Sequence, residues 1–154
     1  MDMDRARAFG QELLGRYSDA MTVMFIDIGD RTGLLSAAAQ GGTAETIAES
    51  AGLAERPVRE WLAGMTTAGV VDHDPDGGTF RLPAEHAAVL SGPTPYNLAP
   101  LARAVAANLS NGHPIAEAFA DGAGIHHSRW TTTWSTSWTV CRATASTRSW
   151  RTST

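Results

Sequence analysis

The stretch TAETIAESAGLAERPVREWLAGMTTAGVVDHDPDGGTFRL, residues 43–82, decides the fold. Thr43 follows two glycines and can N-cap a helix running to about Ser50, with Ile47 and Ala48 on its apolar face. Ala51-Gly52-Leu53 reads as a tight turn. Glu55 to Ala68 then reads as a second helix, with Pro57 tolerated in its first turn and Val58, Trp61, Leu62 and Met65 on one side. Two helices joined by a short glycine turn form the helix-turn-helix pattern. Val70-Val71 starts a short strand, Asp74-Pro75-Asp76-Gly77-Gly78 is a turn cluster, and Thr79 to Leu82 is a second strand. A hairpin directly after the second helix makes the module a winged helix-turn-helix.

Outward from this stretch the chain is mainly α. Upstream, Ala6, Phe9, Leu13, Tyr17, Ala20, Met24 and Ile28 recur in steps of three and four, the stripe of one long N-terminal helix. Met21 to Ile28 (MTVMFIDI) is apolar nearly all round, so burial on more than one side is expected. Gly29 and Gly33 are read as punctuation, followed by a short helix near Leu34 to Ala39 that Gly41 and Gly42 stop. Downstream, Pro83 opens a helix to Leu90, and Ser91 to Pro95 is a loop. Leu98 to Leu109 is an amphipathic helix, and Ile115 to Phe119 lies in a last short one.

The composition changes abruptly near residue 126. Residues 1–125 hold eight Arg and all sixteen acids, a net −8, while residues 126–154 hold four Arg and no acid. Those last 29 residues contain 15 Ser or Thr and four of the five Trp, but no Leu, Ile, Met or Phe. Two units follow: a winged-helix unit over 1–125 and an aberrant Trp/Ser/Thr/Arg tail over 126–154 that is expected to be disordered. The first can bury roughly 60–65% of its unfolded surface, enough for one small core.

The genetic code offers an account of that tail. Joining the last base of each codon to the first two of the next turns Trp130-Thr131 into an aspartate codon and Thr133-Trp134 into Leu, Met or Val. Continued through Val140-Cys141, with Ser read as TCN, the regrouping places apolar residues at i, i+1, i+3, i+4 and i+7, an amphipathic helix. A frameshift near residue 126 is therefore the expectation. An alternative frame that met stop codons at once beyond codon 120 would overturn it.

Several function classes drop out. No run approaches the 18 apolar residues of a membrane span, and the charged start MDMDRARAFG lacks a signal-peptide core, so a cytoplasmic location is expected. The single Cys141 cannot close an internal disulfide. His73, His86, His113, His126 and His127 lack ligand spacing with Cys or Glu, so no metal site is assigned. No Walker loop or Gly-x-Gly-x-x-Gly is present, and no catalytic or cofactor-binding residue is assigned. Asp27 and Asp30 flank Gly29; a ligand pocket and simple solvation are both open to them.

DNA binding is one reading of a winged helix, with Arg56, Arg59 and Arg81 as the contact candidates. Charge opposes it: residues 43–82 carry three Arg against seven acids, and Asp72, Asp74 and Asp76 crowd the wing. Phosphate contacts work by displacing counterions, which an acidic face does not do. The other reading is a scaffold for packing and dimerisation.

GDRTGL at 29–34, AGLAERPVREWL at 51–62 and FRLPAEHAAVL at 80–90 carry a resemblance covering about residues 5–125. The sequence resembles the front of bacterial class I S-adenosylmethionine-dependent methyltransferases with an N-terminal winged helix, the type 12 or "transcriptional regulator" group. The resemblance implies a dimerisation and substrate-cap module for a small-molecule methyltransferase, preceding a Rossmann-like domain that holds S-adenosylmethionine. The glycine-rich loop and ribose-binding acid of such a domain do not occur in these 154 residues. The chain is thus expected to be truncated, to bind no cofactor and not to be catalytic by itself. A homodimer through the first helix and the Leu98 to Leu109 helix is expected. The alternative is a stand-alone winged helix-turn-helix regulator that binds DNA.

Overall fold

The computed structural model describes residues 1–122. The order is α1 (Met3–Thr32), α2 (Leu34–Gln40), α3 (Ala44–Ala51), α4 (Glu55–Thr67), β1 (Asp72–Asp74), β2 (Thr79–Arg81), α5 (Ala84–Leu90), α6 (Ala99–Leu109) and α7 (Gly112–Asp121). The expectations for residues 126–154 lie outside the described residues.

Local chemistry sets most boundaries. The Asp2 carboxylate accepts from the Asp4 and Arg5 amides and starts α1. Gly33 ends it at φ 78°, a left-handed conformation that costs a glycine nothing. Thr43 caps α3 by accepting from the Thr46 amide at 3.3 Å. Gly52, at φ 67°, makes the turn into α4.

The core is the winged helix itself. Leu35, Ile47, Val58, Leu62, Met65, Val71 and Leu82 are fully buried. β1 and β2 pair antiparallel with His73 opposite Phe80, and the two rings stack at 4.4 Å. Gly42 bridges to Phe80 on the other side, joining the wing to the α2–α3 connection. His86 Nδ1 donates to the Val70 carbonyl at 2.8 Å and ties α5 to the chain entering the wing.

Three details differ from the sequence reading. Gly29 does not punctuate a helix; it lies buried inside α1. A Cβ there would stand 2.6 Å from Trp61 and 2.9 Å from Leu35, so the glycine is where α1 comes against α4 and α2. The first strand begins at Asp72 rather than Val70. Val70 and Val71 are held by their amides on the Met65 carbonyl, and Val71 points into the core instead of pairing. In Met21 to Ile28 no apolar residue is buried; the buried position is Asp27. Among the described residues no helix is long and apolar enough to cross a membrane.

Candidate functional site

In a winged helix that reads DNA, the outer face of the second helix must be open to enter the groove. Here α1 lies along α4. The Trp61 indole Nε1–H donates to the Phe25 carbonyl at 2.8 Å. Phe25 also packs where a side chain on Gly64 would stand. Two clefts flank this contact. One, of about 460 Å³, is lined by Phe25, Ile28, Arg56, Pro57, Glu60 and Trp61. The other, of about 280 Å³, lies between Met21 and Thr22 of α1 and Gly64 and Thr67 of α4. Positions 56, 60, 64 and 67 recur at helical spacing on the side of α4 next to α1, with Gly64 half-buried and Arg56, Glu60 and Thr67 exposed.

Of the three arginines singled out in the sequence, Arg56 and Arg59 sit one turn apart on α4 and Arg81 lies on β2. Arg56 stands at the mouth of the larger cleft. Arg59 is tied to Glu55 one turn earlier on α4. Arg81 is exposed on β2, paired in register with Asp72 of the acidic wing.

Asp27 and Asp30 do find a role that spacing along the chain conceals. Arg103 of α6 donates to Asp30 at 2.8 Å and to Asp27 at 3.4 Å, and Arg31 donates to both Asp27 oxygens at 2.8 and 2.9 Å. The Asp27 side chain is only 12% exposed, so these arginines satisfy a carboxylate that would otherwise be stranded. The cluster fastens α6 to the second half of α1. The signal in the sequence was two acids three apart on an apolar stretch, but their partner lies more than seventy residues away.

Large apolar side chains remain on the outside of the same two helices. Phe9, Leu14, Tyr17 and Met21 on α1 are each at least half exposed, as are Leu98 and Leu109 at the ends of α6. Among the described residues no three His, Cys, Asp or Glu come together as metal ligands.

Residues 20–92 match the family model described as the Rv2258c-like winged HTH domain. The domain match spans α2, α3, α4, the wing and α5, together with the second half of α1. The chain is similar in structure to "PigF with SAH", with a TM-score of 0.54, 20% identity, and coverage of 72% of this chain and 32% of that one. It is also similar to the mitomycin 7-O-methyltransferase MmcR, with a TM-score of 0.64, 22% identity, and coverage of 93% of this chain and 46% of that one. The chain thus spans less than half the length of either solved structure. No curated protein matches it.

The described residues do not fit the cofactor that the family resemblance implies. A dinucleotide-like cofactor is held where a strand turns through glycines into a helix. The one sheet among the described residues is a two-stranded antiparallel hairpin, and β2 passes into α5 through Leu82 and Pro83 without a glycine.

Proposed function

We propose that residues 1–125 are the dimerisation and substrate-cap module of an S-adenosylmethionine-dependent methyltransferase acting on a small molecule, with the chemistry carried elsewhere. The observation that supports this most is the extent of the likeness: 93% of the chain aligns with less than half of MmcR. PigF is seen with SAH, which supports S-adenosylmethionine as the cofactor of the full-length enzyme. The exposed stripes of α1 and α6 supply the surface for a second copy. The one cysteine suits a reducing cytoplasm.

Light scattering on the full chain is the first test, and a dimer is expected. Calorimetric titration with S-adenosylmethionine should give no heat of binding; micromolar affinity would overturn the non-catalytic reading. A regulator would instead give a salt-sensitive mobility shift on DNA that Arg56→Ala with Arg59→Ala abolishes. With α1 laid along α4 and the wing acidic, no such shift is expected.

A further inference from the structure

The larger cleft between α1 and α4 has a composition that core packing does not explain. Phe25, Ile28, Pro57 and Trp61 make its walls, and Arg56 and Glu60 stand at its edge. Its volume of about 460 Å³ lies in the range of sites for small organic ligands. Two of its four apolar walls, Phe25 and Trp61, are aromatic rings.

The two charges are the informative part. Arg56 and Glu60 are four residues apart, so they rise from one face of α4 a single turn apart. Elsewhere in the protein such pairs close on themselves: Glu12 with Arg16 at 2.6 Å, Asp27 with Arg31 at 2.8 Å, and Glu55 with Arg59. In all three the acid comes first, the favourable order on a helix. Arg56 and Glu60 have the reverse order, and neither takes an ion-pair partner among the described residues. Among the described residues, an unpaired cation and an unpaired anion therefore sit one turn apart beside an apolar lining that holds two aromatic rings.

That arrangement selects its ligand by charge. A simple anion would meet Glu60, and a simple cation would meet Arg56. A ligand that carries both signs next to each other satisfies both, and an apolar ring beside them fills the cleft. We infer that the α1–α4 cleft binds an aromatic α-amino acid. Its carboxylate pairs with the Arg56 guanidinium, which suits two-pronged contact with a carboxylate. Its ammonium pairs with Glu60, and its ring lies against Phe25, Pro57 and Trp61. This inference stands independently of the methyltransferase reading, because it uses only residues of α1 and α4.

Ligand-observed fluorine NMR on the full chain tests it, with fluorinated L-tryptophan as the probe. Concentration-dependent broadening with a Kd below about 1 mM is expected. Fluorotryptamine lacks the carboxylate and fluoroindole acetate lacks the ammonium; each should bind about tenfold more weakly, as loss of one charge-assisted contact requires. Arg56→Gln and Glu60→Gln should each weaken the amino acid about tenfold while leaving the melting temperature unchanged, since both side chains are exposed. The Trp61 indole N–H resonance should shift on binding. Equal binding of the three probes, or binding indifferent to both substitutions, would reduce the cleft to a greasy surface and overturn the inference. Absence of broadening would overturn it too. If Ile28→Asp then converted a dimer to a monomer, a second copy of the chain would be the occupant instead.

Discussion

The two halves of α1 share one continuous backbone and have opposite surroundings. From Phe25 to Thr32 the helix meets α2, α4 and α6, with Gly29 against Trp61 and Asp27 beneath Arg31 and Arg103. From Met3 to Asp19 no residue is buried. The first half has what an isolated helix can have: the Asp2 cap and the Asp4–Arg7 and Glu12–Arg16 pairs. Such features contribute about 0.2–0.5 kcal/mol per pair and about 1 kcal/mol for a cap. A helix of under twenty residues is marginal in water on those terms alone. The contrast teaches that the first half rests on local helix-stabilising features, whereas the second half is built into the winged helix.

Breaking the built-in half should cost the most. Leu62→Ala empties a fully buried core position of α4 and should destabilise by about 2–5 kcal/mol in chemical denaturation. Gly29→Ala forces a methyl group against Trp61 and Leu35 and should cost about 1–3 kcal/mol. Arg103→Ala takes the ion-pair partner from Asp30, while Arg31 still holds Asp27, and should cost about 1–1.5 kcal/mol, with the α6 amides losing protection before those of α3 and α4. On the exposed half, Leu14→Asp with Tyr17→Asp should move monomer stability by no more than about 0.5 kcal/mol. The same double substitution should abolish dimerisation in sedimentation, which is the sharpest form of the comparison. A dimer that survived it would place the interface elsewhere.

Much of the winged helix was legible in advance because its signals are local. Thr43 as a cap, Gly52 at the turn and the stripe Val58, Trp61, Leu62 and Met65 depend on spacing within a few residues, and all appear in place. The candidate cleft was not legible. Arg56 stood out as a cation on the second helix, but its place at a cleft depends on α1 crossing α4. That crossing is fixed by Gly29, Gly64 and the Trp61 to Phe25 hydrogen bond, thirty-six residues apart in the chain. Gly29 misled for the same reason. A glycine in a helical run reads as a stop until the ring that needs its space is known. Asp27 and Asp30 likewise gain their meaning only from Arg103.

One hydrogen bond has a consequence on the time axis. The Phe25 carbonyl that receives the Trp61 indole N–H also faces the Gly29 amide in the helical ladder of α1. Two distant segments therefore share one acceptor, and that turn of α1 loosens only when α4 lifts away. Amide hydrogen exchange should consequently change regime along a single helix. Before about residue 20 deuterium should enter by fraying, while beyond Phe25 it should wait for the opening of the whole winged helix. The position of that step along α1 would measure how far the docked fold reaches into the exposed arm.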